Sequence, residues 1–176
     1  MPTPERTSLA QIVAAGRDVL EAQGEARLTM QAVAEAVGVR APSLYKRVRD
    51  RDALLALVAG ATVDDLADRL TASDGTVAGV ARAYRAFAHE RPQGFRLLLS
   101  GGPDPEHLAR VSAPVLRIAA DLVGEADALE AARLVTAWAT GFLTMELSGA
   151  FRLGGDLDEA FEYGLARLSV ALRATG

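Results

Sequence analysis

A cluster of basic side chains close to the start of the chain has the chemistry of a phosphate-binding surface. Residues 40–51 contain one carboxylate, Asp50, against five cations: Arg40, Lys46, Arg47, Arg49 and Arg51. The net charge of the chain is −4, yet residues 1–51 carry +2 and the remainder carries −6. A basic patch on an acidic body can bind phosphate groups locally. A solvated surface loop is the open alternative.

The residues around this cluster predict two short helices joined by a tight turn. Ala34 supplies a small residue where the helices would touch, and Gly38, four residues later, tolerates the positive φ of the turn. The apolar residues that would lock the two helices together are Val33, Val37, Val39 and Leu44. A second helix that turns its polar residues outwards can enter a DNA major groove. An ordinary helical hairpin has the same pattern and stays open.

The rest of the chain predicts helices and no strands. Ser8 and Gln11 form a capping box at the start of the first helix, and Asp156 and Glu159 form another before the last. We predict an all-α protein of about nine helices, near 8–24, 29–37, 41–47, 51–70, 77–90, 95–99, 106–123, 127–149 and 156–173.

Residues 8–58 resemble the DNA-binding head of the TetR family of transcriptional regulators. The resemblance rests on Gly24, Thr29, Ala34, Gly38-Val39, Leu44-Tyr45-Lys46-Arg47 and Arg51-Asp52-Ala53-Leu54. Val48 departs from the family pattern, which usually has Phe there, and Arg40 stands where a Ser or Thr cap is usual. The resemblance implies a three-helix helix-turn-helix domain over residues 1–50 and a C-terminal ligand-binding and dimerisation domain over residues 51–176.

The resemblance also implies roles for individual residues. The hydroxyl of Tyr45 would contact a phosphate; packing of its ring on the first helix is the alternative, and the two are compatible. Thr29 and Arg51, each at a helix start, would hold phosphates too. The residues facing base edges would be Ala41, Pro42, Ser43 and Lys46, with Arg40 and Arg47 serving either purpose.

The helix predicted near 127–149 is apolar around nearly its whole circumference, so we expect it to be buried on two sides. One stripe is made of small residues, Ala137, Gly141, Thr144 and Ser148, and the last helix offers Phe161, Leu165 and Leu168. Two such helices from each subunit would form a homodimer seam, as the family commonly does. A monomeric core is the alternative.

The family resemblance implies an effector pocket in the C-terminal domain. Its candidate lining residues are Tyr84, Phe87, Phe95, Trp138 and Phe142, with Glu146 or His89 as a polar anchor. Such a pocket suits a small apolar or aromatic ligand. Each of these residues can instead be core packing, which is the usual use of aromatic side chains at helical spacing.

The predicted function is therefore that of a cytoplasmic regulator that binds double-stranded operator DNA as a homodimer, with repression relieved by a small ligand. No catalytic motif, metal site, cofactor motif or membrane span is found, and the chain has no cysteine. The alternative is an all-helical carrier or enzyme with a non-functional DNA-binding head.

Overall fold

The computed structural model describes residues 7–101 and 104–173, and within these ranges the chain forms nine α-helices and no β-strand. This confirms the predicted all-α class. A single 3-10 turn at Glu25–Arg27 lies between the first two helices. The helices are α1 (Leu9–Gln23), α2 (Met30–Ala36), α3 (Ala41–Leu44), α4 (Arg51–Thr71), α5 (Val77–Glu90), α6 (Pro92–Gly101), α7 (Pro105–Val123), α8 (Ala128–Leu147) and α9 (Leu157–Arg173).

Local side-chain caps fix where the first helices begin. The backbone N–H of Gln11 donates to Ser8 Oγ at 3.1 Å, and the N–H of Ser8 donates to Gln11 Oε1 at 2.8 Å, so the predicted capping box is confirmed. Thr29 caps α2 by accepting the N–H of Ala32 at 3.1 Å. These bonds satisfy amide donors that the first turn of a helix leaves without a partner.

Two helix ends differ from the predicted ranges. α3 ends at Leu44 because the chain tightens there: the N–H groups of Arg47 and Val48 both donate to the carbonyl of Leu44, at 2.8 and 2.9 Å. α6 begins at Pro92, several residues earlier than predicted. Proline is tolerated in a first helical turn, where its missing N–H would have no helical partner.

The first compact unit runs to Asp64 and also includes α6. Gly16 of α1 permits a close approach to α4, because a Cβ added there would lie 2.7 Å from Val58 Cγ2. The core of the unit joins α1, α2, α3, α4 and α6 through Ile12, Val19, Leu20, Leu28, Met30, Val33, Ala34, Leu44, Val48, Leu54, Val58 and Leu97.

The second compact unit contains Asp65–Glu90 and the chain from Pro105 onwards. In this unit α8 packs on α5, α7 and α9, and α5 also packs on α7 and α9. Ala81, Phe161 and Leu165 are buried together, with Trp138 and Phe142 packed against them.

The boundary between the two compact units falls inside α4, whereas the sequence divided the chain by function into residues 1–50 and 51–176. The functional division stays a prediction, because compactness alone assigns no function. Among the helices of residues 7–101 and 104–173, none combines the length and the apolar character needed to cross a membrane.

Candidate functional site

The turn between α2 and α3 is built by the backbone around Gly38. The N–H of Gly38 donates to the carbonyl of Glu35 at 3.1 Å, and the N–H of Val39 donates to that of Ala34 at 2.9 Å. This pair of bonds is a Schellman motif, which requires the left-handed conformation that Gly38 adopts with φ of 72°. Ala34 is fully buried in the core of the first unit. The predicted helix-turn-helix geometry is thus present.

The segment that begins with α3 is anchored by its apolar residues and exposes its polar ones. Leu44 and Val48 are 0 and 2% exposed and hold the segment on the core. Tyr45 is 54% exposed, so its ring lies largely outside that core. Ala41 is half-buried, and the other candidate DNA-contacting residues on this surface are exposed, namely Arg40, Pro42, Ser43, Lys46 and Arg47.

Asp50, the carboxylate inside the basic cluster, is used to start α4. Its Oδ1 accepts the N–H of Ala53 at 2.8 Å, and its Oδ2 accepts Nε of Arg49 at 2.6 Å. The N–H of Ala53 and the guanidinium of Arg49 hold the pKa of Asp50 below its ordinary value. Arg49 is 83% exposed in its side chain, so its charge still faces solvent.

Thr29 and Arg51 have structural bonds that the predicted phosphate contacts did not include. The Thr29 hydroxyl oxygen is the α2 cap, and Thr29 is half-buried. The Arg51 guanidinium donates from Nε to the carbonyl of Leu28 at 2.9 Å and from Nη2 to the carbonyl of Glu25 at 2.8 Å. Arg51 therefore joins the start of α4 to the segment that leads into α2.

The structure brings six of the seven candidate effector-binding residues into the second compact unit and leaves Phe95 in the first. Phe95 and Phe87 are 2 and 0% exposed, so both serve as core residues of their units. Tyr84 places its hydroxyl 3.3 Å from Oγ1 of Thr140, and burial raises the pKa of Tyr84.

Trp138 and Phe142 belong to a cluster of four aromatic rings. The Trp138 ring stacks on Phe161 with centroids 5.1 Å apart, and Phe142 lies 5.2 Å from Phe161 and 5.0 Å from Phe151. Gly164 makes room for the indole, since a Cβ there would lie 2.3 Å from a Trp138 ring carbon. The cluster joins α8 to α9 and to the segment after α8 through ring contacts.

Glu146, the predicted polar anchor, already has protein partners. It accepts Nε of Arg85 at 3.1 Å, and its carboxylate lies 3.1 Å from Nε2 of His89. Arg85 also pairs with Asp158 at 2.7 Å and stacks 4.8 Å from the ring centroid of Phe161. Burial by itself raises the pKa of Glu146, but hydrogen bonds from Arg85 and His89 and their charges outweigh it, and the pKa lies below its ordinary value.

We expect Glu146→Gln to lower the free energy of unfolding at neutral pH by about 2 kcal/mol. The carboxylate is only 6% exposed, and breaking a buried pair is costly, although Asp158 remains to pair with Arg85. Because the folded pKa of Glu146 is lowered, its contribution is complete above the unfolded value of about 4.3 and is lost as the pH falls through the folded value. Denaturant unfolding from acid to neutral pH should therefore show the two proteins converging in acid.

The control for this prediction is Glu162→Gln, which breaks the Arg82–Glu162 pair between α5 and α9. Both side chains of that pair are about half exposed, at 54 and 47%. An exposed pair contributes less than about 1 kcal/mol. Equal stability losses in the two variants would contradict the buried role assigned to Glu146.

The candidate dimer residues separate into an exposed set and a buried set. The four small residues of the stripe, on α8 and at its C-terminal cap, are all exposed: Ala137, Gly141, Thr144 and Ser148. Phe161 and Leu165 are instead 0 and 1% exposed inside their own unit, and Leu168 is half-buried. Phe161 and Leu165 pack with Ala81 inside their own unit, and their place on a dimer seam stays a prediction.

Comparison with known proteins adds two family matches. Residues 12–58 match the model of bacterial regulatory proteins of the tetR family. Residues 77–168, more than half of the chain, match the tetracyclin repressor-like C-terminal domain. The chain belongs to the TetR family. Its membership confirms the resemblance seen around Gly38 and extends it to the C-terminal helices.

Individual TetR family members align over nearly the whole chain. An uncharacterised helix-turn-helix transcriptional regulator of Mycobacterium tuberculosis is 31% identical over 183 residues, which cover 96% of this chain and 83% of the relative. The crystal structure of a possible TetR family regulator from Streptomyces coelicolor covers 95% of this chain and 99% of its own, with 25% identity and a TM-score of 0.72.

A TetR variant from Acinetobacter baumannii, crystallised with minocycline, shares the fold at a TM-score of 0.71. It is 22% identical and covers 96% of this chain and 97% of its own.

Several residues of this TetR family chain had no sequence signal for the contacts they make. Arg85, Asp158 and Phe151 come from separate elements, and only the packing of α5, α8 and α9 brings them to Glu146 and Phe142. The apolar pattern of α8 predicted a helix packed against others, and α8 does pack on α5, α7 and α9. It could not identify partners on other helices, because helical periodicity records burial and not the identity of the neighbour.

Proposed function

We propose that this TetR family protein binds operator DNA through α3 and the exposed segment that follows it. The observation that carries the proposal is the division of this segment into buried anchors, Leu44 and Val48, and an exposed polar and basic surface. Lys46 and Arg47 supply charge for phosphates and guanine edges, and Pro42 and Ser43 supply small contacts to base edges. Such a regulator works in the cytoplasm, where the chromosome of a bacterium lies.

The operator-binding form is proposed to be a homodimer formed through the exposed face of α8. The small residues from Ala137 to Ser148 would let two helices approach closely. Leu134 and Met145 border this stripe and are 47 and 45% exposed, so the face also presents apolar surface to a partner. Two copies related by a twofold axis would present two recognition helices about 34 Å apart, one turn of DNA.

Residues 51–176 are proposed to bind a small apolar or aromatic effector that releases the DNA. The aromatic cluster of Trp138 and Phe142, with the Tyr84 hydroxyl and Thr140 close to one another, supports a ligand with fused rings. The minocycline bound by the Acinetobacter protein is a ligand of that type. Release of DNA by the effector makes repression the favoured sign of regulation.

Selection of bound duplexes from a random library tests the DNA-binding proposal. The wild-type protein should enrich a sequence with two symmetric half-sites whose centres are about one helical turn apart, or a small offset from that. Titration by fluorescence anisotropy should show preference for the enriched duplex over a scrambled one. Recovery of no preferred sequence would favour the alternative, an all-helical carrier or enzyme with a non-functional head.

Trp138 fluorescence tests the effector region. We expect emission in the free protein to be shifted to the blue of an exposed indole, because the ring stacks on Phe161 and covers Gly164. Minocycline and related fused-ring compounds are the first probes. A true effector should quench Trp138 and release operator DNA over one concentration range, and saturating DNA should weaken its binding by the same factor.

Trp138→Phe is the control for that measurement, since it should retain the fold and effector-driven release of DNA while losing the fluorescence. Emission typical of a solvent-exposed indole in the free wild-type protein would contradict the placement of the effector region.

A further inference from the structure

The Arg51 side chain occupies an unusual position for a residue at the edge of a DNA-binding surface. It is the first residue of α4, and its guanidinium is directed back towards the chain and not only towards solvent. Nε and Nη2 reach two backbone carbonyls, those of Leu28 and Glu25, at 2.9 and 2.8 Å. Because the guanidinium is planar and donates to two fixed carbonyls, its orientation is defined.

The two carbonyls belong to the segment that determines where α2 begins. Glu25 opens the 3-10 turn, and Leu28 closes it with a side chain that is 0% exposed. The next residue, Thr29, caps α2. The Arg51 guanidinium therefore connects the start of α4 with the start of α2, which lie on either side of α3 in the chain.

We propose that Arg51 is a positioning residue for operator recognition. It fixes the orientation of α2 and α3 relative to the start of α4, and it does not itself neutralise a phosphate. The proposal rests on the proposed operator binding. The phosphate charge then comes from exposed cations such as Lys46, Arg47 and Arg49. Arg51 acts on DNA only by orienting α3, whose residues Pro42 and Ser43 are proposed to face base edges.

The two roles predict different behaviour of the conservative variant Arg51→Lys. A lysine keeps the positive charge but has one point-like ammonium group, which cannot reproduce a fork to two carbonyls. A phosphate contact would survive this change. A positioning role would not, so R51K should resemble R51A.

The experiment measures binding of wild type, R51A and R51K to the selected operator duplex and to a random-sequence duplex over a range of salt concentrations. We expect both variants to lose about tenfold or more in operator affinity, with little loss on the random duplex. The slope of log K against log salt should stay close to that of wild type, because no phosphate contact has been removed. Lys46→Ala provides the comparison: if this exposed cation neutralises a phosphate, its loss flattens the slope by about 0.9.

Thermal unfolding of each variant separates positioning from simple stabilisation. A residue that only stabilises the fold would lower the melting temperature and leave the operator affinity of the folded fraction unchanged, which would overturn the proposal. Wild-type affinity in R51K together with a slope flattened by about one in R51A would also overturn it, and would leave operator binding intact. If R51A does not fold, R51K and Arg51→Gln carry the same comparison. Failure of the wild type to prefer any duplex overturns operator binding itself.

Discussion

Simultaneous replacement of Lys46 and Arg47 by alanine should reduce operator affinity by about 100-fold or more near physiological salt. Each base contact that is lost weakens the binding free energy by about 1–3 kcal/mol. Each phosphate contact that is lost flattens the slope of log K against log salt by about 0.9. The fold should be retained, because both side chains are exposed and Leu44 and Val48 still anchor the segment. Anisotropy titrations at several salt concentrations measure both quantities.

The matched control removes the same charge elsewhere on the protein. Arg96 on α6 and Arg117 on α7 are both exposed. Their double alanine variant also removes two positive charges, so it has the same net charge as the test variant. We expect operator affinity to stay within a few-fold of wild type. Equal losses of operator affinity in the two double variants would indicate a general charge effect. Unchanged affinity and salt slope in the Lys46 and Arg47 variant would contradict the assignment of α3 as the recognition helix.

The second large effect is expected from Gly141→Arg, which should convert the protein into a folded monomer. A Cβ added at Gly141 meets nothing within 4 Å inside the chain, so the new side chain has space. Arginine also favours a helix by a little under 1 kcal/mol relative to glycine. In a dimer seam, however, it would bury an unpaired charge, at a cost of about 3–5 kcal/mol.

Sedimentation equilibrium should show the loss of the dimer, and circular dichroism should show an intact helical fold. Operator affinity should fall when the dimer is lost, because two linked DNA-binding domains bind about 100-fold or more tighter than one. Thr136→Arg is the control: Thr136 is exposed on α8 but lies about a third of a turn away from the small-residue stripe. A G141R protein that sediments as a dimer would contradict the proposed seam.

The sequence predicted best those features that depend on neighbouring residues. Ser8 and Gln11 cap α1 as predicted, and Gly38 forms the turn between α2 and α3, because these bonds join residues three to five positions apart. Asp156 also accepts N–H groups from Asp158 and Glu159 at the start of α9. Helix starts were therefore accurate to within a few residues along most of the chain.

Features that depend on distant residues were predicted less well. Leu165 is buried in its own unit, and its apolar spacing alone cannot distinguish a core within one chain from a surface between two chains, so its place on a seam stays a prediction. The direction of the Arg51 side chain depends on carbonyls more than 20 residues away. Phe95 was grouped with the C-terminal aromatic residues, whereas the packing of α6 against α1 places it in the first unit.

The exposure of Lys46 has a practical consequence for handling the protein. Lys46 is the only lysine in the chain, so apart from the terminal amine it is the only target for amine-reactive reagents. Immobilisation on a sensor surface by amine coupling would attach the protein either through its terminal amine or through the segment proposed to contact DNA. An environment-sensitive dye at the same amine would instead report directly on the arrival of a duplex, with no engineered cysteine required.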